Sequence, residues 1–274
     1  MLKTEMRNPN TMHIDKMTSL EMAKVMAREN YRAVEAVEEQ VETIAKAIDL
    51  VAGAFDQGGR LFFMGCGTSG RLGVLDAAEC PPTFGVDPSM VQGMIAGGEK
   101  RMFTAGENEE DKEEKGVLDV ETRGIRTGDV LVGVSVAGGA AYVVGGLQRA
   151  KELGATTIAL TSNEGTAIGA ISDLCIITDT GAEVITGSTR LKAGTAHKMV
   201  MNMLTTCAMV KTGRVYENMM VNLKPSNVKL RQRVIRIVCD ICGCGGEKAV
   251  ELLDAVDWDI RSAAELYRSQ NKAE

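Results

Sequence analysis

The chain has 274 residues, 45% of them hydrophobic and 25% charged, which is enough for one large α/β domain with appendages or for two modest domains. Only 4% is aromatic, so a core must rest on Val, Ile, Leu, Ala and Met. A net charge of −6 excludes general attraction to nucleic acid or anionic membrane, so an anionic substrate must be held by a local site.

No apolar run approaches ~18 residues, and neither a signal peptide nor a membrane-spanning helix is expected. The seven cysteines are odd in number and lack a framework spacing, which fits a reduced, cytoplasmic chain. Cys239, Cys242 and Cys244 form C-x-x-C-x-C, a spacing that invites zinc. A second ligand pair is missing and the run lies in an apolar helical pattern. These cysteines are therefore read as small buried residues at a helix end, closed by Gly243, Gly245 and Gly246.

In chain order, residues 18–57 space apolar side chains by three and four, as amphipathic helices do, until Gly58 and Gly59 stop the run. Strands are predicted at Leu61–Met64, Met90–Ile95, Val130–Val134, Thr157–Leu160 and Leu174–Ile177. Helical patterns separate them at 70–79, roughly 108–121 and 140–153. Nearly continuous apolar strands alternating with helices predict a doubly wound α/β fold, a five-stranded parallel sheet covered on both faces. Ligands then belong at the carboxyl ends of the strands. A long helix is expected from about Leu191 to Lys211. After Lys224-Pro225 the pattern turns to short helices, 228–242 and 246–270, with no strand signal.

The densest chemistry lies at 61–85, LFFMGCGTSGRLGVLDAAECPPTFG. A strand runs into a glycine turn and a helix, so Gly67 and Gly70 bring the backbone close to a ligand. Thr68 and Ser69 add hydroxyl donors, and the helix N-terminus favours an anion. Gly65-x-Gly67-x-x-Gly70 formally matches a dinucleotide fingerprint, and a nicotinamide or flavin site is one reading, although the next strand ends Ile95-Ala96-Gly97-Gly98, with Glu99 rather far along for a ribose. The hydroxyl pair suits a small phosphate ester better. A glycine turn that merely packs a helix on a sheet is the other reading.

GTSGRLGVLDAAECPPTFG resembles the signature of bacterial N-acetylmuramic acid 6-phosphate etherases. So do TEMRNPNT near the start, IAGGEK at 95–100, GSTRLKAGTAHKM at 187–199 and NMMVNLKPSNVKLRQR at 218–233, in the same order along almost the whole chain. Animal glucokinase regulatory proteins share parts of the pattern. The resemblance implies a sugar isomerase (SIS) domain at 58–215, an N-terminal helical segment at 1–57 packed on it, and a small helical part at 216–274. It implies a homodimer with sites near the subunit interface, and no metal or redox cofactor. The implied reaction cleaves the D-lactyl ether of an amino-sugar phosphate, giving N-acetylglucosamine 6-phosphate and D-lactate.

The ether oxygen lies β to the aldehyde carbon of the open-chain sugar. Elimination needs a base at C2, an acid at the leaving oxygen and a phosphate hold, and water then adds to the unsaturated aldehyde. Two carboxylates with unlike environments would serve. The resemblance assigns these to Glu79 and Glu110. Pro81 suggests that the helix ends near Glu79, where the dipole favours a protonated acid. Asn108 is a plausible cap placing Glu110 early in a helix, where an ionised base is favoured. Glu110 stands in the run ENEEDKEEK, so Glu109 is an alternative one residue away, and the whole run also reads as a solvated helix face. Ser188, Thr189 and Arg190, just before the long helix, are read as substrate-facing, with a helix cap as the competing reading. His197 reads as a helix-surface or interface residue and His13 as part of a surface loop.

One loop departs from the family. Where the family reads close to A-A-S-G-R-T-P-Y, residues 135–142 read SVAGGAAY, so Ala137, Gly139 and Ala140 replace Ser, Arg and Thr. Each lost hydrogen bond to a charged group costs roughly 1.5–3 kcal/mol. Ser135 and the Gly138 backbone are the available compensation. Ala182 also stands where the family usually has Pro, a minor change. The alternatives to an etherase are a sugar-phosphate-binding regulator of weakened or no activity, and a lyase or isomerase of the same fold acting on another sugar phosphate.

Overall fold

The computed structural model describes residues 2–271 except Glu107, Lys224 and Ser226. Glu107 of the acidic run, Lys224 of the Lys-Pro boundary and the end of the 216–274 segment thus lie outside the described residues.

Two compact units form, Met1–Ala78 with Ser89–Ala208, and Glu79–Pro88 with Met209–Glu274. In the first, α1 (Ser19–Glu38) opens with a capping box in which Thr18 and Glu21 satisfy each other's backbone N–H groups. It is followed by α2 (Val41–Asp56), β1 (Leu61–Gly65), α3 (Gly67–Phe84), β2 (Val91–Ile95) and α4 (Glu113–Thr122). Then come β3 (Val130–Val134), α5 (Ala141–Glu152), β4 (Thr156–Thr161), α6 (Ala167–Ile171), β5 (Leu174–Ile177) and α7 (Lys192–Lys211). The five strands lie in the order β2-β1-β3-β4-β5, with every pair parallel. β1 and β3 are buried along their whole length, as central strands covered on both faces must be. On one face Phe62, Met64, Leu131, Tyr142, Val143 and Leu147 form a continuous core.

Two helix boundaries differ from the sequence reading. α3 does not stop before Pro81 but carries Pro81 and Pro82 in its last turns. The chain leaves it at Gly85, whose N–H bonds the Pro81 carbonyl at 2.9 Å. α4 starts at Glu113 with Lys112 as its cap residue, and Asn108 lies in the preceding turn with φ +60°.

The N-terminal arm explains its own motif. The Asn8 and Asn10 amides donate to the Glu29 carboxylate, which pairs with Lys192 at 2.5 Å. Burial alone would raise the Glu29 pKa, but Lys192 and the two amides hold it below the usual range. Thr11 donates to the Val184 carbonyl, and Asn163 donates to Thr4.

The second unit contains a two-stranded ladder, β6 (Val215–Tyr216) and β7 (Met219–Met220), and three helices, α8 (Val228–Cys242), α9 (Gly246–Asp254) and α10 (Ile260–Asn271). The stretch read as one helix, 246–270, is thus broken in two. Asn227 caps α8 and Gly243, in the left-handed region, ends it. Val234, Val238, Leu252, Leu253 and Ile260 form its core, with Cys239, Cys242 and Cys244 packed against it.

Candidate active site

A cavity of about 300 Å³ opens where β1, β2 and β3 end. Gly67 turns the chain from β1 into α3 at φ +52°, a conformation that costs a side-chain-bearing residue energy. Thr68 and Ser69 follow, and both line the cavity with Gly67. The first backbone bond of α3 runs from the Gly70 N–H to the Cys66 carbonyl, so the N–H groups of the preceding turn remain for a ligand. Gly70 serves packing instead. A Cβ there would lie 2.5 Å from the Gly65 carbonyl oxygen and 2.8 Å from Ile95, and Gly70 does not line the cavity.

The acidic run contributes both candidate carboxylates, and their surroundings separate them. Glu109 is bridged by Arg101 at 3.1 Å and Lys112 at 3.0 Å. Lys112, joined by Arg101, holds its carboxyl below the usual range against the opposing effect of burial. Glu110 also lines the cavity, and among the described residues its carboxylate has no hydrogen bond or ion pair. Its backbone is fixed, because its carbonyl accepts the Tyr142 N–H at 2.9 Å. Tyr142 is fully buried and donates to Asp119 at 2.5 Å. Burial pushes the neighbouring Cys66 thiol up to about 12, assisted by the charges of Glu110 and Asp111.

The remaining wall comes from Ser135, Ala137 and Ala140 after β3, and from Thr189 and Gly194 at the start of α7. The Ser135 hydroxyl oxygen accepts the Gly138 N–H at 3.1 Å. Gly138 itself, at φ +72°, is pressed against Thr166, whose Cβ a methyl group there would meet at 2.3 Å. Gly138, Ser188 and Arg190 do not line the cavity. Glu79 does not line it either and is exposed, twelve residues after Gly67 in the same helix. His197 is not on a helix surface but wholly buried, with Nε2 3.2 Å from the Ser162 hydroxyl, while His13 is exposed.

Two cavity cations escaped the sequence reading. Arg71 is braced by the carbonyls of Met102 at 3.1 Å and Thr104 at 3.3 Å, and Arg101 by Glu109 and the Ala105 carbonyl. Both line the cavity. Arg71 was visible as the residue after the glycine turn, one helical turn from Thr68. Arg101 carried no local signal, because only the return of the chain at Glu109 brings it to the wall.

The site therefore joins hydroxyls and a helix N-terminus, two arginines and an unpaired carboxylate. Family models for the glucokinase regulatory protein N-terminal SIS domain and for the SIS domain match residues 43–151 and 118–207. Among solved structures, the phosphoheptose isomerase GmhA from Neisseria gonorrhoeae superposes with a TM-score of 0.54 at 24% identity, covering 70% of this chain and 98% of that one. A phosphoheptose isomerase from Francisella tularensis gives 0.52 at 18% identity, covering 70% and 98%. These likenesses establish the fold. Sequence similarity goes further. N-acetylmuramic acid 6-phosphate etherases from Clostridium beijerinckii and Geobacillus thermodenitrificans are each 46% identical to this chain. The matches cover 100% and 98% of it, and 90% and 91% of the relatives. One from Clostridium botulinum strain Loch Maree is 48% identical over 98% of the chain and 89% of its own length. Identity at this level from end to end places the chain in the N-acetylmuramic acid 6-phosphate etherase family.

Proposed function

We propose that the protein is a carbon–oxygen lyase that cleaves the D-lactyl ether of N-acetylmuramic acid 6-phosphate, yielding N-acetylglucosamine 6-phosphate and D-lactate. The observation that carries this reading is the unpaired Glu110 carboxylate in one cavity with Thr68, Ser69 and the start of α3. In the open-chain sugar Glu110 takes the C2 proton. The C2–H electron pair forms the double bond as the C3–O bond breaks, and the departing lactate oxygen receives a proton. Water then adds across the double bond, placing hydroxyl on C3 and a proton on C2. The phosphate lies against the N–H groups of the α3 start with the Thr68 and Ser69 hydroxyls, and Ser135 and Thr189 face the sugar. Glu79 as the proton donor, and Ser188 and Arg190 as substrate contacts, rest on the family pattern alone.

The altered loop does not favour a binding-only regulator. Ala137 and Ala140 line the cavity without hydroxyls, but Arg71 supplies a cation that offsets the missing one at Gly139. We further infer a cytoplasmic homodimer whose reaction belongs to residues 58–215, braced by 1–57. No helix among the described residues is long and apolar enough to cross a membrane. The test is release of D-lactate from the proposed substrate by native protein and by Glu110→Gln. The variant should lose turnover by about 10³-fold or more while still binding N-acetylglucosamine 6-phosphate. Full activity in the variant would remove Glu110 from the chemistry.

A further inference from the structure

Arg101 lines the cavity yet has no part in the elimination itself. Its guanidinium occupies a built seat. Nη1 donates to the Ala105 carbonyl and Nη2 to Glu109, both at 3.1 Å. A Cβ on Gly97 would come within 2.8 Å of the Arg101 side chain, and one on Gly106 within 2.5 Å of Nε. The chain thus leaves out two side chains where this one lies. Nε is buried and has no hydrogen-bond partner among the described residues. Its one carboxylate partner, Glu109, is shared with Lys112, so the cation is only partly neutralised from within. A buried donor kept without a partner is costly unless a ligand uses it or its neighbours.

If the etherase reading holds, on which this inference rests, the substrate carries two anions at opposite ends of the sugar. The phosphate is on C6. The carboxylate belongs to the lactyl group on C3, next to the C2 at which Glu110 acts. Hydroxyls and the helix N-terminus suit the phosphate, which leaves the carboxylate to a cation on the Glu110 side. Arg101 is bonded to Glu109, the residue adjoining Glu110. A planar guanidinium matches a planar carboxylate in two parallel bonds. We propose that Arg101 binds the lactyl carboxylate and so distinguishes the ether substrate from sugar phosphates that lack it.

Product inhibition and calorimetric titration test this, with native protein beside Arg101→Gln and Arg101→Lys. The two probes are D-lactate and N-acetylglucosamine 6-phosphate, each added alone. The Gln variant should bind D-lactate at least ~10-fold more weakly and show a KM for the ether substrate ~10- to 100-fold higher, with kcat far less changed. Binding of N-acetylglucosamine 6-phosphate should stay within about 2-fold of native, which also shows that the fold is intact. The Lys variant should recover part of the D-lactate binding. Unchanged D-lactate binding in the Gln variant, or weakened sugar-phosphate binding in its place, would overturn the assignment. Native protein that releases no lactate would overturn the etherase reading, and this inference with it. Native turnover matched by Arg101→Gln would overturn this inference alone.

Discussion

His197 is wholly buried, and burial lowers its pKa to about 4 from an ordinary 6.5. Between those two values the unfolded chain binds a proton that the folded chain refuses. The stability tied to a neutral His197 is therefore complete above about pH 6.5 and is lost as pH falls towards 4, by on the order of 3 kcal/mol. The urea midpoint of native protein should be lower at pH 4.5 than at pH 7, and His197→Gln should show a smaller drop. Equal slopes would mean that other groups dominate acid unfolding. The sequence reading put this residue on a helix surface or at an interface. The helix is instead buried on several sides, with Ala193, Ala196, Val200 and Met201 all inside. The family motif pointed to Glu110, which lines the cavity. Its separation from Glu109 was not legible in the sequence, since the ion pairs that occupy Glu109 come from a residue eight positions away and from the turn of a helix.

At the scale of elements, α5 has Ala140 as its cap residue and no side-chain cap, at the position where the family resemblance gives Thr. Ala140→Thr should add about 1 kcal/mol of stability and tighten N-acetylglucosamine 6-phosphate binding, because Thr supplies both a cap and a hydroxyl on the cavity wall. Thermal melting and calorimetry check the two effects separately. A stabilised variant with unchanged binding would confine residue 140 to the cap. A Cβ at Gly139 meets nothing within 4 Å, so the first side-chain carbon of a restored arginine is unobstructed. β3 and β5 occupy the spans predicted for them, since buried parallel strands announce themselves as apolar runs between turns. The end of α3 and the start of α4 did not follow. Pro81 and Pro82 are accommodated in the last turns of α3, and the acidic 108–112 stretch folds as a turn, although its composition suits a helix. Gly70 and Gly138 show a related limit. Glycine in a ligand-binding loop reads as close approach to the ligand, but these two make room for Ile95 and Thr166.

For the whole molecule, five parallel strands gather the ends of β1, β2 and β3 into one cavity, at the carboxyl ends where the sequence reading expected a ligand. Arg101 was not expected there, because a parallel sheet brings residues together without regard to their spacing in the chain. For the proposed homodimer, a candidate contact is the apolar groove formed by Val34 and Val37 of α1, Val41 of α2, and Met199 and Met203 of α7, with Tyr31 of α1 70% exposed. Sedimentation should give twice the mass of the 29.3 kDa chain, and Val34→Lys should shift it towards the single chain. An unshifted dimer would place the interface elsewhere. The central claim is elimination with Glu110 as the base, and the most direct measurement runs the reaction in heavy water with native protein and Glu110→Gln. Native protein should release D-lactate and leave deuterium at C2 of the N-acetylglucosamine 6-phosphate, and the variant should do neither. Lactate release that leaves C2 unlabelled would contradict it, because no C2 proton would have been exchanged with solvent.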